Sequence, residues 1–182
     1  MRVVFVCLLS GPVVNYQQEL VEKVAAKFNL NLTKNRNLPT HFTLKYPFEV
    51  SSLDWLEKVL AHFATNHSPA AMQVGGFKSF GNRVIYLDVK QSQQSKKIAS
   101  EFCSTLRQFP EITWKELETT EPKLHITIAE NCNEQFQEVM NFLTPFEKKF
   151  KCKFNSVSLL RQVGKKNGVS QWKVHRTFIF SK

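Results

Sequence analysis

Apolar positions along this chain recur with two periods. Arg2–Leu9 alternates weakly and is rich in β-branched residues, which predicts a strand, and Tyr16, Leu20, Val24 and Phe28 follow at near-helical spacing. After a polar turn at Asn35–Asn37 comes "HFTLKYPF", residues 41–48. Strand alternation there puts His41, Thr43 and Lys45 on one face and Phe42, Leu44 and Tyr46 on the other. Pro47 is expected to end that strand. Leu53, Leu56, Leu60 and Phe63 mark a second helix, capped by Ser51 or Ser52. Met72–Phe80 and Arg83–Val89 read as a hairpin turning at Gly81-Asn82.

The second half repeats this order. Ser95–Phe109 is helical by the spacing of Ile98, Phe102 and Leu106, a short strand is expected over Ile112–Leu117, and Lys123–Ala129 is a strand. Glu134–Phe150 reads as a helix kinked at Pro145, and Phe154–Val163 with Trp172–Phe180 as a hairpin through a Gly164–Gly168 turn. Strand, helix and hairpin thus occur twice without a repeat in residue identity. The expected fold is α+β, a duplicated two-lobed single domain over residues 1–182 whose lobes are not independent contiguous units, with approximate sequence halves 1–90 and 91–182.

Composition narrows the class. An apolar content of 42% with 22% charged residues in 182 is that of an ordinary globular domain. Val3–Leu9 is short for a signal-peptide core and lacks a small-residue cleavage site, and no apolar run approaches membrane-spanning length. Cys7, Cys103, Cys132 and Cys152 are scattered without a C-x-x-C pair, and His62 and His67 stand in no ligand spacing with them. Neither a metal site nor a disulfide framework is expected, and reduced thiols suit the cytoplasm. The net charge of +10 is one-sided: residues 148–182 hold ten basic and no acidic residues. Such an excess is the electrostatic footprint of a polyanion binder.

The candidate chemistry lies in two tripeptides. "PKLHITIAE", residues 122–130, repeats the pattern of the His41 strand, with His125 and Thr127 on one face and Leu124, Ile126 and Ile128 on the other. A third tripeptide, His175-Arg176-Thr177, has a charged centre and falls on the last hairpin strand, so it is set aside as structural or RNA-contacting. Two His-x-Thr strands related by a duplication would face each other across a groove. One imidazole could then accept a proton while the other donates one, with the threonine hydroxyls holding nonbridging phosphate oxygens. In-line displacement at phosphorus requires that arrangement.

"HFTL" and "HITI", 84 residues apart in a repeated α/β lobe, resemble the paired H-x-T motifs of the two-histidine (2H) phosphoesterase superfamily. "HFTLKYPF" is especially similar to its 2′-5′ RNA ligase-like branch. The resemblance spans essentially the whole chain. It implies two antiparallel sheets facing a central groove with helices outside, and a metal-independent phosphodiesterase without cofactor, acting on 2′,3′-cyclic phosphates or 2′-5′ linkages of RNA or nucleotides. It implies His41 and His125 as the acid–base pair and Thr43 and Thr127 as the phosphate-holding hydroxyls; which histidine is acid and which base stays open. Lys45, on the expected groove face, is a candidate substrate-binding residue. Tyr46, Phe48, Phe80 and Trp172 are candidate stacking surfaces for a base. The expected protein is a cytoplasmic monomer with an RNA or nucleotide substrate and no membrane partner. A non-catalytic RNA-end-binding module, or a 2′-5′ ligase running the same groups in reverse, are the alternatives.

Overall fold

The structure, a computed structural model, describes residues 1–116 and 118–182. The elements run β1 (Arg2–Leu8), α1 (Pro12–Phe28), α2 (Leu32–Arg36), β2 (His41–Glu49), α3 (Asp54–Thr65), β3 (Ala70–Phe80), β4 (Val84–Gln91), α4 (Gln93–Leu106), β5 (His125–Glu130), α5 (Phe136–Leu143), β6 (Lys149–Phe154), β7 (Ser156–Lys166) and β8 (Val169–Ile179). Local chemistry accounts for their ends. Pro12 opens α1, where its missing N–H costs no hydrogen bond, and Asn29 closes that helix in the left-handed conformation. Ser92 caps α4 by accepting a hydrogen bond from the Ser95 N–H at 3.2 Å. The β7–β8 hairpin turns on Asn167-Gly168 alone, both at positive φ, as a two-residue turn between twisted strands requires.

The strands build two antiparallel sheets, ordered β2-β1-β7-β8 and β5-β4-β3-β6, and the fold is α+β. In each sheet a His-x-Thr strand is the edge and pairs with the strand before it, β1 with β2 and β4 with β5. The hairpins are exchanged: β7–β8 joins β1 and β2 through β7 beside β1, and β3–β4 joins β5 and β6. The sheets therefore cut across the sequence halves, each sheet taking two strands from each half. One face of each sheet joins the helices in a common core, including Phe5, Phe42 and Leu159 from the first sheet, Val74, Leu87 and Ile126 from the second, and Leu20, Leu60 and Ile98 from helices.

Several expectations are corrected. Pro47 does not end its strand; it is tolerated because β2 is an edge, where a missing N–H breaks no ladder. Residues 112–116 are not a strand, and Leu117 lies outside the described residues. The helix expected over Glu134–Phe150 stops at Leu143, followed by a single 3₁₀ turn at Thr144–Phe146 and then β6. Gly75 lets β6 approach: at φ 143°, a Cβ there would sit 2.1 Å from the Lys148 carbonyl oxygen. The basic segment 148–182 is consequently divided between the two sheets.

Candidate active site

Both histidine strands carry the same irregularity. From His41–Leu8 to Thr43–Val6 the pairing is regular, but Phe5 then faces Lys45 and leaves Leu44 as an extra residue. In β5 the pairing runs from His125–Asp88 to Thr127–Tyr86, after which Ile85 faces Ala129 and leaves Ile128 as the extra residue. Each bulge puts two successive buried residues after the His-x-Thr and turns the next side chain back toward the groove. His41, Thr43 and Tyr46 on β2 and His125, Thr127 and Glu130 on β5 consequently line one cavity of about 900 Å³.

The two imidazoles are held alike. His41 Nδ1 lies 2.7 Å from the Pro39 carbonyl oxygen and His125 Nδ1 lies 2.9 Å from that of Lys123, in each case two residues back along the chain. A carbonyl only accepts, so Nδ1 carries the proton in both rings, and the neutral form keeps its lone pair on Nε2. Among the described residues neither Nε2 has a protein partner. Both rings titrate below the ordinary histidine range. For each, loss of water around the charged form is the main cause, opposed by the backbone carbonyl. The charges of His125 and Arg36 push His41 down further, and Lys123 does the same to His125. The two histidines are electrostatically coupled, and loading both with protons at once is disfavoured.

Sequence reading missed the residue that ties these strands together. Gln17, buried on α1, accepts a hydrogen bond from Thr40 Oγ1 at 2.8 Å and donates one from Nε2 to the Thr127 carbonyl at 3.0 Å. It bridges the residue before His41 to the second threonine of the site. The available signal was a polar residue within the apolar stripe Val13, Tyr16, Leu20 and Val24. Gln17→Leu leaves a buried hydroxyl and a carbonyl unpartnered and is expected to cost about 1–3 kcal/mol by urea denaturation. Arg36, with Nη1 2.9 Å from Glu130 Oε2, is a second link across the cavity that the sequence did not reveal. Burial pushes the Glu130 carboxyl up against the pull of Arg36.

Lys45 is not where alternation puts it. The bulge at Leu44 turns its side chain to the core side with Phe5, where it is 1% exposed. Its ammonium lies 2.9 Å and 3.1 Å from the two carboxylate oxygens of Glu118, itself 5% exposed. Glu118 also accepts from the Tyr46 and Lys115 N–H groups. Lys45 therefore anchors the loop beside the groove and does not line the cavity, against the expectation that it faces it. Phe48 is core as well, whereas Tyr46, Phe80 and Trp172 line the cavity. The remaining histidines lie elsewhere: His175 Nε2 is 2.7 Å from Glu57, and His67 is paired with Glu101. Burial pushes the Cys7 and Cys103 thiols up to about 11, so they are inert packing groups.

Comparison with known proteins bears on the fold and the family. The structure superposes on TT0787 of Thermus thermophilus with a TM-score of 0.72 at 16% identity, covering 99% of this chain and 98% of that one. It superposes on E. coli LigT complexed with 3′-AMP with a TM-score of 0.64 at 14% identity, covering 100% and 98%. A Bacillus pumilus protein, provisionally named a phosphoesterase, is 26% identical over 174 residues, 92% of this chain and 95% of its own length. The model of the 2′-5′ RNA ligase superfamily matches residues 15–166, a span that holds both histidine strands and the glutamine that ties them, and the chain belongs to that superfamily.

Proposed function

We propose that this protein is a metal-independent phosphodiesterase that opens 2′,3′-cyclic phosphates or cleaves 2′-5′ linkages of RNA or nucleotides, acting as a cytoplasmic monomer. The observation that carries this reading is the matched pair of imidazoles, each with Nδ1 tied to a backbone carbonyl and Nε2 left for the cavity. One neutral ring takes a proton from the attacking water while the other, protonated, gives one to the departing ribose oxygen. Thr43 and Thr127 donate their hydroxyls to the nonbridging oxygens, where negative charge builds in the transition state. That E. coli LigT was solved with 3′-AMP supports a nucleotide-sized occupant for a cavity of this fold.

The test is turnover of a cyclic mononucleotide and a 2′-5′ dinucleotide in excess chelator across pH. Activity is expected to survive the chelator, and recovery only with a divalent ion would overturn the mechanism. The pH profile carries a sign. The base loses activity below its pKa and the acid above its own, and both lie below the ordinary value of 6.5. The bell in kcat/KM should therefore centre on the acid side of that value. A bound phosphate anion favours the imidazolium, so the kcat profile should lie at higher pH than that of kcat/KM.

A further inference from the structure

The face of the second sheet that holds His125 and Thr127 does not end at the cavity. Strand register follows it outward. Asp88 is opposite His125, Lys90 is two residues further along β4 on the same side, Gln73 of β3 is opposite Lys90, and Lys151 of β6 is opposite Gln73. Lys149 and Lys153 alternate with Lys151 on that side, while Phe150, Cys152 and Phe154 point into the core region. Lys78 joins the face opposite Tyr86, which is itself opposite Thr127. Lys90, Lys149, Lys151 and Lys153 are exposed and have no acidic partner among the described residues. The acids of these strands, Asp88 and Glu130, are held by Lys78 and Arg36. Phe80, also on this face, is exposed, packs edge-on against the His125 ring at 4.8 Å between centroids, and has Lys123 over its ring.

The first sheet differs on its groove side. There Val4, Val6 and Leu160 form an apolar floor with Trp172 and Val174 packed against it. Arg2, which alternates with Val4 and Val6 on β1, is exposed and lines the cavity on that side, whereas the run of exposed lysines lies on the second sheet.

We propose that the uncovered face of the second sheet, from His125 past Phe80 and Lys90 to Lys149, Lys151 and Lys153, is the docking track for the backbone of a single-stranded RNA whose reacting phosphate lies between the histidines. This rests on the phosphodiesterase reading and adds the substrate's polymeric character and its direction of approach. The face crosses three strand spacings, about 14 Å, and is continuous with the site. Lysines bind phosphate as point charges without reading sequence, and an exposed aromatic offers a base a stacking surface, the combination that suits a single strand.

The experiment measures binding of a fluorescent RNA dodecamer to the full chain carrying His41→Ala, so that no turnover intervenes, over a range of salt. Log affinity against log salt should slope at about −2 to −3, the value for three or four phosphate contacts at about −0.7 each. Adding Lys149→Glu, Lys151→Glu and Lys153→Glu together should weaken binding more than tenfold at low salt and flatten the slope by about 2. The same charge change on helices, through Lys58→Glu, Lys96→Glu and Lys97→Glu, should cost far less. The corresponding β6 glutamine variants, which add no repulsion, should lose affinity in the same direction, and circular dichroism checks each fold. Equal losses from the two triple variants would reduce the track to net charge and overturn it, as would undiminished binding by the β6 variant. Preference for phosphatidylserine vesicles over RNA would assign the face to a membrane and overturn it as well. Failure of cyclic mononucleotide turnover in the unmodified protein would instead strike the catalytic reading and leave these binding results standing.

Discussion

His41→Ala and His125→Ala are each expected to lower kcat on a cyclic mononucleotide by about 10²–10⁴-fold, the usual worth of a positioned proton donor or acceptor. The two losses should be similar, because the rings are held by the same kind of backbone bond and share one cavity. They should also fail to multiply. Once either proton transfer is lost the other gains little from its catalyst, so the double variant should resemble the worse single one. Neither ring packs in the core, so circular dichroism and urea midpoints should stay near those of the parent. Thr43→Ala and Thr127→Ala should cost less, since each removes a hydrogen bond to charge already spread over several oxygens. His175→Ala, which breaks only a pair with Glu57 outside the cavity, should leave kcat unchanged. A histidine variant at 41 or 125 that kept kcat within a few fold of the parent would end the acid–base assignment.

The second large effect is on stability and concerns Lys45. Removing one member of a buried ion pair strands the other charge, at a cost of about 3–5 kcal/mol. Lys45→Met leaves the Glu118 carboxylate buried without its cation, and Glu118→Gln leaves the ammonium without its anion. Burial already pushes the Lys45 ammonium below the ordinary lysine range, with desolvation outweighing the attraction of Glu118. The pair is therefore poised so that either single loss is felt in full. Urea denaturation should show both single variants strongly destabilised, and the double variant Lys45→Met with Glu118→Gln less so than the sum of the two. In conditions where Lys45→Met is folded, KM should match that of the parent. A raised KM with unchanged stability would return Lys45 to the groove.

The contrast between these residues shows which features a sequence carries. The strand placement of His41 and His125 was legible because the apolar residues after each alternate as far as Leu44 and Ile128, where the bulges begin, and because a titratable ring on the polar face has few structural reasons to be there. Lys45 was misplaced because alternation assumes an unbroken ladder. The extra residue at Leu44 is set by pairing with β1, and nothing within β2 announces it. The strand β6 was legible in principle, since "KFKCKF" alternates perfectly, but its first residues also extend the apolar spacing of the helix before it. The exchange of the β3–β4 and β7–β8 hairpins between sheets leaves no mark in local periodicity, which reports the partner face of a strand and never the identity of its neighbour. Gln17 is intermediate: its place in an apolar stripe was visible, but its two partners come from strands distant in sequence.

That exchange also shapes how the protein is made. During synthesis β1 and β2 emerge early, yet their sheet remains a two-stranded ribbon until the ribosome delivers Ser158–Arg161 to pair with Val3–Val6. Two strands alone are marginal in water. The apolar residues Val4, Val6 and Phe5 must wait, exposed or held by a chaperone, through more than a hundred further codons. The second sheet is under no such delay, because β3, β4, β5 and β6 follow one another within residues 70–154. The His125 half of the site can thus be assembled on the growing chain, while the His41 half closes only after it, so messages interrupted before β7 would yield a nascent product with one histidine wall and no groove.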